Sequence, residues 1–237
     1  MTTHPQLWFI IVQTLVCLIL IVINYLMWRK YLVKPNESVL YLTLSMNGYL
    51  MASILSFTGT LLDYLSIHPP VGIYATLFDS VGLVFLLGSN YCLMGFITTI
   101  FFENNKLLMN GSGLVVGLSI GLLISEFSMV DDNSVAPSFF IGFVFIILVN
   151  LLMATLCIKE TRIAGEDEVR LGFMLLAASG VFALLTFFFF VLTVTVGRNY
   201  DGYHATGWII AIFSSLVTYM GIFRPKILYN LLIKTDE

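Results

Sequence analysis

The sequence predicts an all-α membrane protein, a single seven-transmembrane helix bundle occupying residues 1–237. Three observations carry this expectation: an apolar composition, seven runs long enough to span a bilayer, and basic residues confined to alternate connections. Apolar side chains make up 59% of the 237 residues and charged ones 11%, against about 25% charged in soluble domains. Cys17, Cys92 and Cys157 all fall inside apolar runs, which marks them as small buried side chains and not as a loop disulfide. The net charge of −3 comes with no basic patch, so no nucleic-acid partner is expected. The partner that composition demands is the lipid bilayer.

A hydrocarbon core needs about 20 apolar residues per helix. Seven runs qualify: Leu7 to Trp28, Val39 to Leu61, Val71 to Phe102, Leu107 to Val130, Ala136 to Ile158, Leu171 to Val196 and Tyr203 to Phe223. The third is longer than a bilayer requires and is expected to tilt or to project from it. The start, "MTTHPQ", lacks the basic residues of a secretory signal, so the first run reads as a span and not as a cleaved leader. Arg29, Lys30 and Lys34 follow span one, and Lys106 follows span three. Lys159, Arg162 and Arg170 follow span five; Arg224, Lys226 and Lys234 follow span seven. Ten of the eleven basic residues therefore share one side, with Arg198 alone opposite. The positive-inside rule makes that side cytoplasmic, with the N-terminus outside, the C-terminus inside and the plasma membrane as the expected location. Beyond Pro225, Ile227, Leu228, Leu231 and Leu232 share one helical face. Residues 225–237 are therefore expected to form a short amphipathic helix on the inner leaflet.

Ionisable residues inside a membrane point to function. Asp79 lies about two turns into span three, and Glu126 sits near the outer end of span four. His4, His68 and His204 also map to the outer side, with Tyr64, Tyr74, Tyr200 and Tyr203 nearby. The expected ligand-binding set is Asp79, Glu126, Tyr74 and His204, with the carboxylate meeting a cationic or hydrogen-bonding ligand and the rings adding cation–π contact. The plainer reading is a protonated Asp79 hydrogen-bonded to a neighbouring helix, with Glu126 reaching the headgroups. No two histidines share an i, i+4 spacing, so no metal site is expected. No lysine lies within a span, which leaves a retinal Schiff base without an attachment point, and no cofactor is expected.

Asn47, Asn90 and Asn150 fall at similar depths in spans two, three and five. They are expected to form an interhelical polar layer, serving either as static hydrogen-bonded glue or as an element with two bonding arrangements. Gly113, Gly117 and Gly121 recur every four residues on one face of span four. Small residues at that spacing let helix backbones touch, either within the bundle or at a homodimer seam.

Seven spans with short loops and a last span running into "GIFRPKILYNLL" resemble the N-terminal seven-transmembrane sensor region of prokaryotic, particularly archaeal, histidine kinases in stand-alone form. Gly221-Ile222-Phe223-Arg224-Pro225 carries most of that resemblance. It implies a non-enzymatic sensory protein that reads a ligand or membrane state outside and signals through a cytoplasmic kinase or transducer. The alternatives are a small seven-span transporter of SWEET-like size, or an accessory subunit of a larger membrane complex.

Overall fold

The computed structural model describes residues 7–65, 73–127, 137–196 and 202–223. They form seven α-helices and, among the described residues, no strand: α1 (Leu7–Val33), α2 (Glu37–Leu65), α3 (Ile73–Phe101), α4 (Lys106–Phe127), α5 (Pro137–Ile163), α6 (Asp167–Val196) and α7 (Gly202–Phe223). Each is long and apolar enough to cross a membrane, and the chain is an integral membrane protein with seven spans. Helices are what such runs become, because backbone N–H and C=O groups in hydrocarbon need internal partners. Residues 224–237, where the amphipathic tail is expected, lie outside the described residues.

Several helices run past their apolar stretches. α1 continues through Arg29 and Lys30 to Val33, α5 continues through Lys159 and Arg162, and α6 begins already at Asp167. An apolar run marks the hydrocarbon slab, whereas a helix continues beyond it wherever charged side chains can reach water. α3 has 29 residues, roughly 43 Å at 1.5 Å per residue, and so exceeds the hydrocarbon thickness of roughly 30 Å. Its end is sharply defined. Glu103 and Asn104 adopt left-handed φ values of 48° and 61°, and the Asn104 N–H donates to the Thr98 carbonyl at 3.0 Å, closing the last turn in the Schellman manner. Asn105 Oδ1 then accepts from the N–H groups of Leu107 and Leu108 at 3.0 and 3.4 Å, which caps α4. Asn36 starts α2 similarly, accepting from the Ser38 N–H at 2.8 Å.

Each helix packs on the next, α7 closes on α1, and α3 also meets α5. α4 is thereby left outside the α3–α5 contact. Only 17% of its apolar stretch is buried, against 61% for α3. Met27, Leu42, Leu87, Ile97 and Ile146 form the centre of the main core, and Val16, Leu20, Trp208 and Ala211 form a second cluster between α1 and α7. Connections 33–37, 101–106 and 163–167 share one end of the bundle with the close of α7. That end carries Arg29, Lys30, Lys34, Lys106, Lys159, Arg162 and Arg170.

The glycine face of α4 does not serve the first of the two roles expected for it, packing within the bundle. A Cβ on Gly117 or Gly121 would meet nothing within 4 Å, and one on Gly113 would only touch the Tyr91 ring at 3.5 Å. These glycines do not bring helices together within the chain, because α4 turns that face outward. Close approach happens at other glycines. A Cβ on Gly48 would lie 2.7 Å from the Phe85 carbonyl oxygen, so α2 and α3 touch backbone to backbone there. A Cβ on Gly180 would lie 3.0 Å from the Asn150 carbonyl oxygen and one on Gly221 3.1 Å from the Gly172 carbonyl oxygen, so α5 and α6, and α6 and α7, also approach closely at these glycines.

Candidate functional site

A cavity of about 160 Å³ opens between α2, α3, α5, α6 and α7, toward the end of the bundle opposite the basic residues. Asp79 and His204 both line it, with Ser56, Thr193, Phe143, Phe190 and Trp208. The helix starts position the two ionisable groups. Asp79 is the seventh residue of α3 and His204 the third of α7. Ser56 of α2 stands within hydrogen-bonding reach of the Asp79 carboxylate.

The α7 wall is aromatic. His204 and Trp208 are one helical turn apart and stack with ring centroids 6.4 Å apart at 23°, the neighbour relation that i, i+4 spacing produces. Phe190 closes on both edgewise, at 5.4 Å from His204 and 5.2 Å from Trp208. It reaches them because Gly207 has no side chain: a Cβ there would sit 2.6 Å from the Phe190 ring. Phe9 of α1 packs behind His204 at 5.3 Å. The Trp208 indole N–H is buried without a hydrogen-bond partner, on a residue only 4% exposed. An orphaned buried donor costs about 1–3 kcal/mol. Its place on the cavity wall gives a bound acceptor a reason to be there.

Tyr74 and Glu126 belong to the first turn of α3 and the last turn of α4, and both side chains lie outside the described residues. Asn90 and Asn150 meet: the Asn150 amide donates to Asn90 Oδ1 at 2.9 Å and to the Ile146 carbonyl at 2.8 Å. Asn90 in turn donates to the Leu86 carbonyl at 2.9 Å. The third group within reach of both amides is the Tyr49 hydroxyl, not Asn47. Asn47 is half-buried elsewhere on α2.

Gln13, Ser56, Asp63, Tyr49 and Trp208 were not among the residues the sequence singled out. A signal existed for three of them, Tyr49, Ser56 and Asp63. α2 is the least hydropathic of the seven spans, and Ser45, Tyr49, Ser53, Ser56, Thr60 and Asp63 recur along it every three or four residues. That spacing places them on one face. Ser45, Ser53, Ser56, Thr60 and Asp63 are all buried. Ser45 pairs with Ser89 of α3 at 3.1 Å, Ser53 with Cys17 of α1 at 3.2 Å, and Ser56 with Gln13 of α1 at 3.3 Å. A buried polar seam thus runs the length of α2.

The cavity suits small-molecule binding. Its volume is close to the roughly 150 Å³ that holds a benzene molecule. The apolar walls, one carboxylate, one imidazole and one unpaired indole N–H form the sparse polar pattern typical of ligand sites. No protein-family model matches the chain, and no curated protein matches it.

Proposed function

We propose that the chain is a non-enzymatic sensory membrane protein that binds a small, largely apolar ligand in the cavity between Asp79, His204 and Trp208. The observation that carries this reading is the buried, unpaired N–H of Trp208, a residue that lines a cavity also holding a carboxylate. The ligand offers a cationic or hydrogen-bond-donating head to Asp79, an acceptor to Trp208 and a ring-sized body to Phe143 and Phe190. The excess of Lys and Arg at the opposite end supports an orientation with the cavity outside and the basic end in the cytoplasm of a plasma-membrane protein. The signal then leaves through α6 and α7, where hydroxyl contacts between Ser179, Ser214 and Thr218 link the helices below the cavity. A cytoplasmic kinase or transducer reads it at the connection 163–167, consistent with the sensor-region layout the sequence resembles. The outward face of Gly117 and Gly121 supports self-association through α4.

Benzylamine and benzyl alcohol, matched in size and differing in charge, test the reading. Thermal unfolding of the full chain in nanodiscs should shift upward with benzylamine, and Trp208→Phe should reduce the shift. Equal melting with and without both probes counts against the pocket. Probe flux across proteoliposomes would replace the sensor by a transporter.

A further inference from the structure

A groove of about 280 Å³ lies toward the basic end of the bundle, where α4 stands off from α3 and α5. Met94 of α3, Leu108, Gly111 and Val115 of α4, and Phe145 and Leu152 of α5 line it. It shares no lining residue with the Asp79 cavity. Its buried side follows from the Asn90–Asn150 tie, since Met94 comes one turn after Asn90 and Val149 directly precedes Asn150. Gly111 keeps the groove open, because a Cβ there would meet nothing within 4 Å. Leu148 on the α5 wall remains 58% exposed.

The walls, the length and the charge at the mouth identify what fills it. Ser112 is the one polar side chain in the lining, and its Oγ already donates to the Leu108 carbonyl at 2.8 Å. Such a wall takes an apolar occupant. Every lining residue belongs to a membrane span, so the apolar molecule at hand is an acyl chain. Along α4 the lining runs from Leu107 to Val115, about 12 Å at 1.5 Å per residue. One leaflet contributes about 15 Å of a hydrocarbon core roughly 30 Å thick, so the groove has the reach of one chain. At its mouth, exposed Lys106 directly precedes Leu107, and the Asn105 cap fixes that start of α4. Lys159, also exposed, comes seven residues after Leu152, two turns along the same side of α5. Glu103 and Glu160 flank the two lysines in sequence, so this is a pair of point charges suited to one phosphate and not a broad basic surface.

We infer that the groove between α3, α4 and α5 is a site for one anionic phospholipid from the leaflet at the basic end. An acyl chain lies along Gly111 and Val115, and Lys106 and Lys159 reach up to its phosphate. Lysine suits this task, because its stem lies along apolar surface while its ammonium meets the phosphate at headgroup level. The bound chain fills the gap that the α3–α5 tie leaves beneath α4. It thereby makes the least buried span part of the bundle and stabilises the fold in proportion to its occupancy. Gly117 stands six residues from Gly111, about 240° round the helix, so the lipid leaves the outward glycine face free.

The test is lipid titration of the full chain in mild detergent, with phosphatidylglycerol and phosphatidylcholine of identical acyl chains. Thermal unfolding should show a saturable rise in Tm with phosphatidylglycerol that exceeds the rise with phosphatidylcholine. Gly111→Leu, which fills the groove at an exposed position, should weaken the apparent affinity at least about tenfold. Lys106→Gln should reduce the preference for phosphatidylglycerol, and Trp208→Phe should leave both lipids unaffected, which keeps this site distinct from the Asp79 cavity. Should the variants not fold, photolabelling of the wild-type chain by phosphatidylglycerol with a diazirine in its acyl chain reads the same groove. Label should then concentrate in residues 107–115 and 145–152. Label spread evenly over the seven spans, or a Gly111→Leu chain that binds as the wild type does, would overturn the inference. Equal response to the two lipids would overturn the anionic assignment. A Gly111→Cys chain that cross-links to a second copy and retains no lipid would replace the phospholipid by a partner helix.

Discussion

The Asn150 side-chain amide donates to Asn90 Oδ1 at 2.9 Å, tying α5 directly to α3 across the place where sequence order would put α4. This bond accompanies the displacement of α4 to the periphery, because two helices joined through buried amides leave no room for a third between them.

Breaking that tie should cost stability in a non-additive way. Asn90→Leu and Asn150→Leu are each expected to destabilise by about 1–2 kcal/mol, since each leaves a buried amide partly unpaired. The double variant should cost less than the sum of the two, which denaturation by SDS in mixed micelles measures as a coupling energy. Asn47→Leu should cost less than either, because Asn47 is not part of the pair. Strict additivity of the Asn90 and Asn150 losses would contradict the coupling.

Glycine substitutions should separate bundle packing from the outer face of α4. Gly48→Ala drives a Cβ against the Phe85 carbonyl and should destabilise by about 1–3 kcal/mol, as overpacking does. Gly117→Ala and Gly121→Ala meet open space and should be neutral or gain up to about 1 kcal/mol from helix propensity. If self-association uses this face, Gly117→Ile should lower the cross-linked dimer fraction without changing monomer stability.

Gly207→Ala should act on the cavity more than on the fold. The added methyl meets the outer edge of the Phe190 ring at 2.6 Å, and a ring can swing aside where a backbone cannot. The swing fills part of the cavity. Benzylamine binding is expected to weaken at least about tenfold, or ~1.4 kcal/mol, while Tm falls by only a few degrees. Calorimetric titration reads the first and thermal unfolding the second; unchanged affinity would remove Phe190 from the site.

Asp79→Asn keeps a polar group facing Ser56 and should fold normally, yet lose preference for benzylamine over benzyl alcohol. Asp79→Leu should also destabilise, by about 1–3 kcal/mol, through unpaired neighbours. A preserved preference in both variants means the charge is not used.

Orientation is tested by thiol accessibility. A cysteine introduced at positions 131–137 should react with an impermeant maleimide added outside cells, and Gly165→Cys should not, against the background of three native thiols that lie within spans. The reverse pattern would put the cavity on the cytoplasmic side.

Seven helices were legible in the sequence because hydrocarbon permits an apolar run of about 20 residues few other structures. Depth was legible for the same reason: Asp79, Asn90 and Asn150 can be placed by counting residues from charged loops. Azimuth was not. Asn47 and Tyr49 share a depth, but two residues turn a helix by about 200°, and only packing decides which of them faces Asn90. The glycines of α4 likewise define a face without naming its neighbour, and the tie between α3 and α5 turns that face outward. Charge alone marked Asp79 and His204, but their meeting required α7 to close on the bundle so that Phe190 could lie over Gly207. Gln13 and Trp208 became visible only through what each lacks or touches in the fold, and the polar face of α2 that carries Ser56 gained its neighbours only there. A hydroxyl, an amide or an indole in an apolar helix is unremarkable until its neighbours are known, and neighbours are set by tertiary contacts that spacing along one helix does not encode.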